Sequence, residues 1–155
     1  MLQQLVADRS LHVRNGTAFA VTPMLREAYA EGDDDELGDV ALREAALASL
    51  RLLAGEGISS LPPRRAVVVA EVEGAAARPD LDDAVVRLSE PIAYDQVIAA
   101  YVDNADAESA VVPAIEAVDN ADLGDEDAEF IVGDAQDHDL AWYAPQELPF
   151  LLELL

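Results

Sequence analysis

Ala66-Val67-Val68-Val69-Ala70-Glu71-Val72 (AVVVAEV) is the stretch on which the fold turns. Its apolar run is β-branched, nearly continuous and without helical spacing, which predicts a strand buried on both faces. Upstream, Gly55-Glu56-Gly57 and Pro62-Pro63 bracket a loop. Before that loop, Val40, Ala41, Ala45, Leu47, Leu50, Leu52 and Leu53 give the segment 37–54 one broad apolar face, and a helix is expected there. Downstream, the turn-rich 74–80 leads to a second strand near 84–88. A turn or single helical turn follows at 91–96, and then a third strand, VIAAYV, at 97–102.

The same reading extends to both ends of the chain. Leu2, Leu5 and Val6 mark a short helix over 1–8, and Asn15-Gly16 marks a turn. A short strand over 17–21 runs into Thr22-Pro23, an N-cap followed by proline at the first helical position, so a helix starts there and stops at Gly32. Asp106 is placed to cap a helix reaching about 118, with Pro113 expected to kink it or delay its start. A helix over 125–138 would turn Ala128, Ile131, Val132 and Ala135 to one side. A strand at 140–143 precedes a last helix, 146–154, with Leu148, Leu151 and Leu152 facing inward. Strands interleaved with helices predict one small domain over 1–155, α/β or α+β, with three to five strands and helices packed on the sheet. The pentapeptide Val-Asp-Asn-Ala-Asp occurs at 102–106 and at 118–122. We read both copies as local punctuation, Asn and Asp side chains that turn the chain and cap the next helix.

Charge is distributed unevenly along this pattern. The last basic side chain is Arg87, and residues 88–155 hold seventeen acids and no Lys or Arg. The first 87 residues carry the other fifteen acids and all nine arginines, for a whole-chain charge of −23. Such a field repels nucleic acid and anionic membranes and attracts cations and basic protein patches. At 52% apolar residues the chain is too hydrophobic for a disordered acidic tail, and with 5% aromatics its core must be built from small side chains. There is no cysteine, which removes disulfides, thiolate metal sites and cysteine nucleophiles together. The absence of lysine beside abundant alanine fits GC-rich codon usage better than salt adaptation. The N-terminal MLQQLVADRSLHVRNG shows no basic leader followed by an apolar stretch, and no window approaches the ~18 apolar residues of a membrane span. A soluble cytoplasmic protein is therefore expected.

The best motif match for chemistry is Asp33-x-Asp35-x-Leu37-Gly38-x5-Glu44. An EF-hand calcium loop needs oxygen ligands at its first, third and fifth positions, Gly at the sixth and a bidentate Glu at the twelfth. Asp33, Asp35, Gly38 and Glu44 fit, but Leu37 offers no side-chain oxygen. The acids serve equally well as the electronegative start of the following helix. Asp125-Glu126-Asp127 and Glu129 are candidates for a divalent ion or for a basic partner, and they too suit a first helical turn. Asp137-His138-Asp139 could orient an imidazole, but no second histidine lies near, and His12 has no spacing relation to it. No serine sits in a G-x-S-x-G or S-x-x-K context, and neither a P-loop nor G-x-G-x-x-G is present. Basic stripes with interleaved aromatics are missing too, which speaks against direct nucleic-acid binding. Trp142-Tyr143, between Leu140 and Pro145, is the one compact aromatic feature. It is expected mostly buried, with the helices over 125–138 and 146–154 packed around it. An exposed ring rimmed by acids would instead make a docking spot.

The stretches TAFAVTPMLREAYAEGDDDELG (17–38), RRAVVVAEV (64–72) and DLGDEDAEFIVGDAQDHDLAWYAPQELP (122–149) resemble an uncharacterised family of small acidic cytoplasmic proteins from actinobacteria, including mycobacteria. The likeness covers nearly the whole chain, and D-H-[DE]-L-x-W-Y-A-x-Q-E, here 137–147, is its most specific part. It brings no catalytic residues, substrate or cofactor. It implies a β-rich segment ahead of the first helix, so a native first strand is expected to precede Met1. Residues and resemblance together lead to a non-enzymatic binding or regulatory module that docks a basic surface through Asp125, Glu126, Asp127, Glu129 and His138. The alternative is a divalent-metal-dependent enzyme or calcium-binding protein built on the acidic clusters, Asp33, Asp35 and Glu44 first.

Overall fold

The computed structural model describes residues 1–29, 31–56 and 61–155. The loop expected around Gly57 lies partly outside them. Six helices are seen among the described residues: α1 (Leu2–Asp8), α2 (Pro23–Ala28), α3 (Asp34–Glu56), α4 (Glu108–Asp122), α5 (Glu126–Gln136) and α6 (Leu148–Leu154). The strands are β1 (Ser10–Leu11), β2 (Thr17–Phe19), β3 (Ala66–Ala70), β4 (Ala76–Ala77), β5 (Val85–Arg87), β6 (Ile92–Ala93), β7 (Val97–Val102) and β8 (Ala141–Tyr143). The fold is α+β, with the strands in three small antiparallel sheets ordered β1-β6, β2-β5-β4 and β3-β7-β8. The sequence pattern alone suggests a single sheet and does not reveal the two-residue strands β1, β4 and β6. Two residues are too short to show a period of their own, and they exist only through their partners. The chain divides into two compact units, 1–45 with 69–98 and 46–68 with 99–155, and the division falls inside α3, β3 and β7.

In the first unit the turn at Asn15-Gly16 is fixed by geometry. Gly16 has φ +67°, and a Cβ there would stand 2.6 Å from the Leu88 carbonyl oxygen, so only glycine fits. That close approach lets the Leu88 amide donate to the Gly16 carbonyl at 2.7 Å beside the β2–β5 ladder, in which Ala18 faces Val86. Thr22 caps α2 as its sequence demands. Its hydroxyl oxygen accepts from the Leu25 amide at 3.1 Å while its proton goes to the Asp83 carbonyl, and Pro23 takes the first helical position. Leu25, Leu37 and Ala84 form the buried centre here, with Val21 and Val40 against it. The guanidinium of Arg9, a residue in the left-handed region at the end of α1, lies 3.8 Å from the ring centre of Tyr94.

The second unit is built around Leu50 of α3, Ala107, Val111, Ala114 and Val118 on and before α4, and Val132 and Ala135 of α5. Leu50 is the largest side chain in that cluster, and the others are alanine or valine. Small side chains at the crossing let helices approach closely, so the core fills without aromatic rings. Pro113 lies inside α4 without delaying its start. It sits on the exposed face, where water can satisfy the carbonyl its ring leaves without a donor. Ala107, not Asp106, is the N-terminal boundary of that helix, and it makes no side-chain cap. α5 starts as expected, with Asp125 Oδ1 accepting from the Ala128 amide at 3.1 Å.

Candidate functional site

The residues of the EF-hand pattern are separated by the helix that contains them. Asp33 caps α3 through its Oδ1, which accepts from the Glu36 amide at 2.8 Å, and α3 is helical from Asp34 onward. Eleven residues of helix place Glu44 about 16 Å along the axis from Asp33, so the two cannot share an ion. Asp34, between the two aspartates of the pattern, pairs with Arg26 at 2.5 Å. Leu37, at the position where a ligand is wanted, is 1% exposed and belongs to the apolar centre of its unit. Among the described residues no three His, Asp or Glu side chains are grouped to hold a metal. Calorimetric titration with calcium is expected to show no site tighter than about 10 µM, the sensor range; one ion bound more tightly, and lost in Asp33→Ala, would reverse this reading.

Two grooves lie in the first unit. One, of about 380 Å³, is lined by Glu71, Val72, Glu73, Leu88, Glu90, Pro91 and Gln96, with no imidazole, hydroxyl or basic side chain. His12 shares a second groove, of about 180 Å³, with Ser89 and Glu90, but no hydrogen bond joins these three side chains.

The second unit holds a feature absent from the sequence reading. Arg65 and Asp103 are 1% and 0% exposed and form a bidentate pair, with Nε to Oδ2 at 2.9 Å and Nη2 to Oδ1 at 2.8 Å. Asp103 Oδ2 also accepts the Arg65 amide at 2.8 Å. Two further donors of Arg65 reach Gln136 Oε1 and the His138 carbonyl, each at 2.9 Å. This cluster is closed on itself and presents no free group to a substrate. It corrects the reading of the first Val-Asp-Asn-Ala-Asp copy, whose Asp103 is a buried counter-ion and not a cap. The second copy ends α4, and its Asp122 takes two bonds from Arg51, at 3.0 and 2.9 Å. Those bonds hold the Asp122 carboxyl below its usual pKa. The stabilisation is therefore present above about pH 4 and is lost as pH falls further. With Arg64 on Glu108 at 3.0 Å, all three arginines of this unit are committed to its own acids.

The surface of the second unit carries acids and aromatic rings beside exposed aliphatic side chains such as Leu123 and Leu154. Glu126, Asp127 and Glu129 project from the first turn of α5 into solvent, and Asp125 is exposed as well as capping. His138 is half-buried, and its backbone carbonyl, not its imidazole, takes the bond from Arg65. Phe130 is 76% exposed between these acids and Asp134. Its signal was available, because turning Ala128, Val132 and Ala135 inward at about 100° per residue leaves Phe130 opposite them. The same geometry puts Ile131 at the boundary, where it is more exposed than expected.

Trp142 requires the main correction: it is 55% exposed, not buried between helices. β8 pairs with β7 so that Trp142 faces Tyr101, while Ala100 and Val102, opposite Tyr143 and Ala141, are fully buried. Side chains alternate across a strand, so the residue between two inward positions points outward.

The chain belongs to a family of unknown function, DUF6912, whose family model matches residues 1–152. No curated protein and no solved structure matches it.

Proposed function

We propose that this member of a family with no assigned activity is a non-enzymatic binding module that docks a basic surface of a partner protein through its second unit. The observation that carries the reading is the exposed indole of Trp142 in a unit whose arginines are all internally paired. An aromatic anchor supplies contact area and desolvation, and a surrounding acidic field speeds encounter and selects a cationic partner. Asp125, Glu126, Asp127 and Glu129 around Phe130 provide the field on α5, and His138 leads into β8. The same charge disfavours phosphate backbones, because neutralising them needs clustered Lys or Arg.

The test is one variant read in two ways. Trp142→Ala is expected to shift the melting temperature by no more than about 2 °C, as for a surface change. It should also abolish salt-sensitive capture of a basic partner by the immobilised protein. A large drop in melting temperature would show the ring to be structural, and unchanged capture would remove it from the docking site. Neutralising Glu126, Asp127 and Glu129 to Gln or Asn should weaken capture at low salt and leave folding intact, since exposed charges contribute little to stability.

A further inference from the structure

We propose that the partner presents an extended basic segment that adds as a fourth strand to the outer edge of β8, an inference that rests on the docking reading above and specifies its geometry. β8 is the terminal strand of β3-β7-β8. The Asp103 amide donates to the Arg65 carbonyl at 3.0 Å, toward the β3 side. Backbone groups alternate along a strand, so those of Val102 and Ala100 turn to β8 and bond Ala141 and Tyr143. The amide and carbonyl of Trp142 are thereby left on the outer edge, one donor and one acceptor beside an exposed indole. At the opposite edge of the sheet the first amide of β3, that of Ala66, is already taken by Ser49 Oγ at 3.0 Å.

Charge selects the occupant. Asp137 and Asp139 flank β8 and are exposed, while Glu147, exposed as well, accepts the Ala144 amide at 3.2 Å and closes the edge just beyond Tyr143, with no Lys or Arg anywhere after Arg87. A strand carrying Arg or Lys on alternate residues would stack a cation on the Trp142 ring and bring its neighbours to these carboxylates. A second copy of this chain is the other sequence that could pair here, and at −23 per copy it would meet its own repulsion.

The probe is a synthetic peptide of about eight residues alternating Arg and Val, a usual strand length. Its control is the same peptide N-methylated at every backbone amide, which keeps the charge and removes the donors. Trp142 is the only tryptophan in the chain, so its fluorescence reports binding at this site directly. The unmodified peptide is expected to shift that emission and to slow hydrogen exchange at the Trp142 amide. The methylated peptide should bind about tenfold more weakly, as for the loss of backbone pairing. Trp142→Pro should keep its fold, because the amide it removes is outside the ladder, and should lose peptide binding measured by calorimetry. Equal binding of the two peptides would overturn edge pairing and leave basic docking standing. Binding of neither peptide, with salt-sensitive capture of a basic protein intact, would do the same; absence of both would remove the two proposals together. Protection of the Trp142 amide that grows with protein concentration and no peptide would overturn the basic segment and assign the edge to a second copy.

Discussion

Asp103→Ala is expected to destabilise the protein by about 3–5 kcal/mol, because it leaves the Arg65 guanidinium buried without its counter-ion. Arg65 keeps only Gln136 Oε1 and the His138 carbonyl, neither of which is charged, and its own amide loses Asp103 Oδ2 as acceptor. Such a loss is a large fraction of a total stability of about 5–15 kcal/mol. Arg65→Met combined with Asp103→Asn should be less damaging than the sum of the two single changes. The double variant buries no charge, and the side-chain amide introduced by Asp103→Asn retains an oxygen for the backbone amide it faces. Urea unfolding of the parent, the two single variants, the double variant and Asp103→Ala measures both claims. An Asp103→Ala variant within about 1 kcal/mol of the parent, the range of exposed ion pairs, would mean that water reaches the pair and that it does not organise this unit.

Leu37→Asp supplies the one side-chain oxygen missing from the pattern Asp33-x-Asp35-x-Leu37-Gly38-x5-Glu44, yet it is expected to bind no calcium and to unfold the first unit. Removing a buried leucine costs about 2–5 kcal/mol. An unpaired carboxylate set among Leu25, Ala84, Val21 and Val40 adds its desolvation penalty. The loss should be about 4 kcal/mol or more. Circular dichroism during thermal unfolding, with and without calcium, decides the matter. A calcium-dependent rise in melting temperature would show that the acids can gather around an ion after all, through rearrangement of the start of α3. The control Leu37→Met keeps the volume and the apolar character and should cost less than about 1.5 kcal/mol.

The two variants mark where reading the sequence succeeds and where it stops. Thr22-Pro23 and Asp125 were legible as helix starts because a cap bonds to an amide three residues away, within the same short stretch of chain. AVVVA was legible as a strand because its β-branched residues disfavour the alternative locally. The small-residue core was expected from composition, and the inner face of α5 from the spacing of Ala128, Ile131, Val132 and Ala135; the same spacing leaves Phe130 on the outer side. None of this needs knowledge of what lies across the fold.

Pairing across the fold is a different kind of information. Arg65 and Asp103 are 38 residues apart, and each has ordinary local explanations as a surface cation and a turn-former; only their common burial makes one the other's requirement. Leu37 reads as a defect in a metal loop until the apolar neighbours that enclose it are known. Leu140-Ala141-Trp142-Tyr143-Ala144 has no polar alternation to say which face is wet, so the exposure of Trp142 was decided by its register against Tyr101 and by the position of β8 at the end of its sheet. Sequence alone therefore determined the longer elements, the caps at Thr22 and Asp125 and the excess of acid after Arg87, which are properties of residues and near neighbours. The tertiary structure alone decided which charge is buried and which aromatic meets solvent, because both depend on groups brought together from distant parts of the chain.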